Sequence, residues 1–132
     1  GYKNASLVAA RPNISTICGP RTYHFDRTER RIIGLAERWR SYGVKEVGVN
    51  TDAPVVPQEE QSLQAALGVR LGLDRYEALR ALTIVPAKAL MVDERMGSIE
   101  VGKEANLGVW TGDPVDPRRR CTLLYVRGER AY

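Results

Sequence analysis

The spacing of apolar residues along this chain changes period, and few architectures accept the order of elements that results. Residues 13–18, N-I-S-T-I-C, form a short β-prone run closed by the turn signal Gly19-Pro20. From Asp26 the spacing predicts a helix. Ile32, Ile33, Leu35, Ala36 and Trp39 share one face, Arg27, Glu29, Arg30, Glu37 and Arg38 the other, and Gly43 ends it. A second β-run covers residues 44–51. Pro57 with Glu59 and Glu60 then suits a helix first turn, and Leu63, Ala66, Leu67 and Leu71 supply its buried face. Asp74 with Glu77 reads as a capping pair opening a further helix, which Pro86 interrupts to begin another. From Gly97 the period is that of strands: Ile99 and Val101, residues 107–110, then residues 123–126. The first part fits parallel βα units and the tail an antiparallel sheet, so the chain divides into residues 1–96 and 97–132.

A length of 132 residues suffices for one compact core, and 43% hydrophobic with 27% charged residues is ordinary globular usage. The net charge of +4 comes from 20 basic and 16 acidic residues that are interspersed, not gathered into a stripe. Arg118, Arg119 and Arg120 form the one basic run, and after Asp116-Pro117 they read as a solvated turn; no nucleic acid is expected as a partner. Cys18 and Cys121 make no metal-binding spacing and imply no disulfide framework. No run approaches the roughly 18 apolar residues of a membrane span, and the opening residues lack the pattern of a secretory leader. The expectation is a cytoplasmic protein with reduced thiols and no membrane partner.

The stretch GVNTDAPVVPQEE places a carboxylate, Asp52, where a buried strand stops. In βα units, functional groups gather at the C-terminal ends of strands and in the loops beyond them. A carboxylate there has three uses: to bind a metal, to accept a proton from water, or to cap its own loop by accepting backbone N–H bonds. Gln58, Glu59 and Glu60 could shape the mouth of a pocket beside it, although helix-start electrostatics accounts for the acids. Trp39 and Trp110 read as core anchors, and Thr83 and Pro86 as the helix break.

Three stretches in this order, VNTDAP, ALRALTIVPAKAL, and GSIEVGKEANLGVWTGDPVDP with LYVRGERAY after it, resemble the C-terminal end of metal-dependent amidohydrolases, above all the imidazolonepropionase-like branch. The resemblance runs from about Asn13 to Tyr132. It implies an α/β fold: the last two βα units of a (β/α)8 barrel, with residues 13–18 as strand seven and 44–51 as strand eight, followed by antiparallel strands of a small β-sandwich. It implies that Asp52 contacts a catalytic divalent metal, zinc above all, takes a proton from the attacking water and returns it to the leaving nitrogen of a small amide. The family's His-X-His pair, the lysine or acid of its fourth strand and the later histidines have no counterpart here. His24, the single histidine, reads as a loop residue, with a role against substrate or behind the metal ligands as the alternative. Arg21 and Tyr23, in the same loop, could touch substrate, with surface or packing roles as the alternative. Glu104-Ala105-Asn106-Leu107 stands where the family often has Asp-Ala-Asp-Leu, a structural turn. With so few ligands the isolated chain is expected to show no turnover, and its unpaired strand edges are expected to be covered by a second copy or by a missing N-terminal part.

Overall fold

The computed structural model describes residues 2–11 and 13–132. A short helix, α1 (Ala5–Ala9), precedes strand β1 (Ser15–Cys18). Then come a hairpin of β2 (Tyr23–Asp26) and β3 (Arg31–Gly34), helix α2 (Leu35–Ser41) and strand β4 (Glu46–Val49). β1 and β4 pair in parallel, Ser15 opposite Glu46 and Cys18 opposite Val49. A 3-10 turn at Gln58–Glu60 leads into α3 (Gln61–Arg70), followed by α4 (Arg75–Leu82) and α5 (Ile84–Ala89). The tail is an antiparallel sheet of β5 (Leu107–Trp110), β6 (Cys121–Val126) and β7 (Glu129–Arg130), in that order.

The core forms where the helices close over the parallel pair. Cys18, Val47 and Val49 from the strands meet Ala36, Ala65, Leu73, Ala78 and Ala81 from the helical layer. Alanine contributes only a methyl group, so α2, α3 and α4 approach the strands closely. Ala5 enters from the N-terminal side, and Val115, from the connection between β5 and β6, plugs in from the tail. Arg75 Nη2 and Nε both donate to Asp113 Oδ2, at 2.6 and 2.8 Å, and tie that same connection to the start of α4. The connection between β5 and β6 thus meets the helical layer through an apolar and an ionic contact.

The Asp74 cap forms as expected, its Oδ1 accepting from the amides of Tyr76 (2.9 Å) and Glu77 (3.1 Å). Glu77 does not complete a capping box. Its carboxylate accepts from Arg80 at 2.9 Å and pairs with Arg40 at 3.0 Å. Arg80 continues to Glu46 at 3.1 Å, and Lys88 reaches Glu46 at 2.9 Å. These five side chains join α2, α4, α5 and the first residue of β4 in one ionic cluster. Burial alone would push the Glu46 carboxyl up; the hydrogen bond from Lys88 and the charges of Arg80 and Lys88 outweigh it and hold it below the ordinary glutamate range.

Several expectations are corrected. The helix predicted from Asp26 begins only at Leu35. Asp26 Oδ1 accepts from Thr28 N (2.8 Å) and Glu29 N (2.9 Å), turning the chain back so that Ile32 pairs with Phe25 in a hairpin; local turn chemistry overrides the helical period. Tyr23 and His24 therefore lie on a strand, not in a loop. Ile99 and Val101 form no strand: residues 97–103 run through turns and bends, and Ile99 is 87% exposed, with no neighbouring strand to pair. The inward face of α3 is Gln64, Ala65 and Gly68, while Leu63 is exposed and Ala66, Leu67 and Leu71 are half-buried. Trp39 packs against the core, whereas Trp110 is half-exposed on β5, outside it. Among the described residues no helix is long and apolar enough to cross a membrane.

Candidate functional site

The C-terminal ends of β1 and β4 lie side by side, and the loops beyond them form the candidate site. Asn50 N donates to Cys18 O at 2.9 Å, extending the ladder one residue past β4. Gly19 then packs against Asn50 so closely that a Cβ there would collide with Asn50 Oδ1. Only glycine permits that approach, and it brings the two strand-end loops into contact.

Asp52 stands two residues beyond Asn50, exposed, with its backbone in the left-handed region at φ 49°. Asp is among the few residues that enter that region readily. The loop is closed by main chain alone: Val55 N donates to Asp52 O (2.9 Å) and Val56 N to Thr51 O (3.2 Å). Thr51 and Val56 are buried beneath it. Among the described residues no donor engages the Asp52 carboxylate, so capping, one of its three possible uses, is not how it is employed. It faces solvent available for chemistry.

The other expected residues lie in the loop after β1, on β2 and in the 3-10 turn. Arg21, exposed after β1, donates weakly to the Tyr23 hydroxyl at 3.5 Å. Tyr23 is half-buried at the start of β2, paired with Gly34, and His24 is exposed on the same strand opposite Ile33. Gln58 and Glu59 are exposed and Glu60 half-buried in the 3-10 turn. Cys18, at the very end of β1, is buried, and burial pushes its thiol up to about 12. At neutral pH it is an inert thiol rather than a nucleophile. Among the described residues no group of three or more His, Cys, Asp or Glu stands together as a metal site would require.

The spacing of hydrophobic residues gave no hint of three further side chains. Gln61 Nε2 donates to Val49 O at 2.7 Å. Gln64, only 1% exposed, accepts from Thr22 N at 3.1 Å, and the Thr22 hydroxyl donates to Gln64 O at 2.7 Å. Thr22 is fully buried, and its own carbonyl accepts from Leu35 N at 2.8 Å. The available signal was two amides three residues apart, Q-S-L-Q, interrupting an otherwise apolar helix start.

The pattern of the amidohydrolase family matches residues 5–129. An imidazolonepropionase from Sphingopyxis alaskensis is 32% identical over 100 residues, 74% of this chain and 24% of that protein. The crystal structure of an amidohydrolase from Thermotoga maritima MSB8 superposes with a TM-score of 0.82 at 31% identity, covering 99% of this chain and 34% of that one. An adenosine deaminase from Xanthomonas campestris, crystallised with bound zinc, shares the fold with a TM-score of 0.63 at 21% identity, over 97% of this chain and 34% of its own. The chain spans about a quarter to a third of the length of these proteins.

Proposed function

Because the chain belongs to the amidohydrolase family, we propose that it forms the C-terminal portion of a hydrolase of C–N bonds in linear or cyclic amides, with Asp52 as its acid–base group. In this reading β1 and β4 are the last two strands of a (β/α)8 barrel and the β5-β6-β7 sheet belongs to a small β-sandwich. The observation that carries it is the carboxylate of Asp52, unengaged among the described residues, beyond the end of a strand in a parallel pair. Ionised Asp52 accepts a proton from water as the oxygen adds to the amide carbonyl carbon. The resulting carboxylic acid then donates that proton to the leaving nitrogen as the C–N bond breaks, which restores the carboxylate. Arg21, Tyr23 and His24 would be the substrate-facing residues of this reading, from the loop after β1 and from β2.

The zinc-bound deaminase and the family's usual chemistry support a divalent metal, zinc above all, in the complete enzyme; it would supply an activated water. A catalytic zinc takes three protein ligands. The donors among the described residues do not fit one by themselves, so the remaining ligands would come from outside these 132 residues, and the isolated chain is expected to show no turnover. Asp52's own part needs only a water and an amide.

The test has two arms. Elemental analysis of the purified chain should find no stoichiometric zinc, and amide hydrolysis should be absent; turnover that a chelator abolishes would sink the claim of inactivity. A chimera in which residues 5–129 replace the matching third of the Thermotoga amidohydrolase should hydrolyse an amide from a test panel. In that chimera Asp52→Asn should remove kcat; an equally active Asn variant would sink the role of Asp52.

A second reading is a non-catalytic module that pairs with copies of itself. It is favoured by the two-stranded parallel sheet, whose outer edges have no neighbouring strand among the described residues, with Ile17 on β1 and Ile14 just before it exposed. Light scattering separates the two: a concentration-independent monomer removes this reading.

A further inference from the structure

The first two turns of α3 hold the end of β4 and the loop after β1 at once. Gln61 and Gln64 are three residues apart and therefore share a face of the helix. Peptide groups alternate direction along a strand. Asn50 points its amide at β1, so the carbonyl of Val49 points the other way, to the outer edge of β4. The Gln61 amide satisfies that carbonyl at 2.7 Å, three residues before Asp52. One turn on, Gln64 accepts from Thr22 N and its backbone carbonyl accepts from the Thr22 hydroxyl, four residues beyond the end of β1. Glu60 lies within 3.5 Å of the Gln64 amide nitrogen and steadies its orientation.

We infer that Gln61 and Gln64 are positioning residues, a two-amide clamp that fixes the end of β4 relative to the loop after β1 and thereby holds the backbone that carries Asp52. The inference rests on the proposed role of Asp52 and deepens it. A leucine or methionine at position 64 would satisfy the core equally well and be the ordinary occupant of a position 1% exposed. An amide there costs desolvation unless its partners are fixed, and Thr22 N and Oγ1 are fixed partners. Gly19 against Asn50 keeps the loops touching but leaves them free to slide; the clamp removes that freedom. Neutral amides also hold the same geometry whatever the charge on Asp52, as a group that alternates between carboxylate and acid requires.

The experiment is amide NMR on the 132-residue chain, comparing wild type with Gln61→Met, Gln64→Met and Thr22→Val. Methionine keeps length and removes the hydrogen bonds. Hydrogen exchange at the β1 and β4 ladder amides reports the fold, and the HN–Hα coupling and order parameter of Asp52 report its left-handed backbone. The expected result is a ladder that stays protected while Thr22 N–H exchange in Gln64→Met rises about tenfold. In both glutamine variants the Asp52 order parameter falls and its coupling moves toward the averaged value. Thr22→Val, which keeps the Gln64 side chain and its bond to Thr22 N, should give a smaller change of the same sign. Unchanged Asp52 coupling and order parameter in Gln61→Met overturns the clamp, as does a uniform loss of ladder protection in Gln64→Met without a change confined to residues 19–24 and 50–56. Neither readout involves turnover, so the clamp fails or stands apart from the hydrolase reading.

Discussion

The two ends of β4 treat a carboxylate in opposite ways. At the N-terminal end Glu46 is half-buried and held by Arg80 and Lys88, with Arg40 and Glu77 extending the cluster. Beyond the C-terminal end Asp52 is exposed, sits on a left-handed backbone and is engaged by no side chain among the described residues. An ionic cluster of this kind fastens α2, α4 and α5 to the strand. A carboxylate outside such a cluster, as Asp52 is among the described residues, adds little to stability. On the proposed reading the strand separates holding the fold from doing chemistry, as parallel βα folds do generally.

The largest effect expected from breaking this contrast is Arg80→Ala. It leaves Glu46 and Glu77 facing each other across the gap with only Lys88 and Arg40 to offset them, and should cost about 2 kcal/mol in urea unfolding. Next is Glu46→Gln, which keeps shape and two acceptor contacts and should cost about 1 kcal/mol. In Glu46→Gln the low-pH limb of stability should also flatten. Because the Glu46 carboxyl is depressed in the folded state, its contribution is present above the ordinary glutamate range and is lost as pH falls below it, so the variant lacks that loss. Unfolding curves compared between neutral pH and pH about 3 check the sign.

A related acid limb belongs to Asp26, whose carboxyl the Tyr2 hydroxyl and the amides of Glu29 and Thr28 hold down at about 2. Its contribution is present above its unfolded value of 3.8 and is lost as pH falls toward about 2, so amide exchange at Thr28 and Glu29 should accelerate over that window. The smallest effect is at the other end of β4. Asp52→Asn should change stability by less than about 0.5 kcal/mol, since Asn accepts the left-handed backbone and no partner is lost. Asp52→Val should cost about 1–2 kcal/mol through backbone strain alone. A large loss in Asp52→Asn would show a partnered carboxylate and erase the comparison.

Much of this was legible from residues. Parallel runs ending at Cys18 and near Asp52, the Asp74 cap, and antiparallel strands at residues 107–110 and 123–126 all come from period and turn chemistry. The hairpin was hidden because Ile32, Ile33, Leu35 and Ala36 satisfy a helical period on paper, and only the Asp26 turn decides otherwise. Ile99 and Val101 alternate like a strand, but alternation supplies no partner strand. Gln64 was passed over because a buried amide is recognisable only by what it bonds.

Residue order was enough to place a carboxylate just after the second β-run. Asp52 after a β-run, no metal-ligand spacing and three ordered stretches of family-like residues require no coordinates. It took the folded chain to establish that among the described residues the Asp52 side chain caps nothing, that Glu46 is locked, and that two glutamines reach the last residue of β4 and the loop after β1. The physical reason is range: period and caps act over a few residues, whereas the Gln64–Thr22 bond spans 42 positions and exists only after the chain has folded.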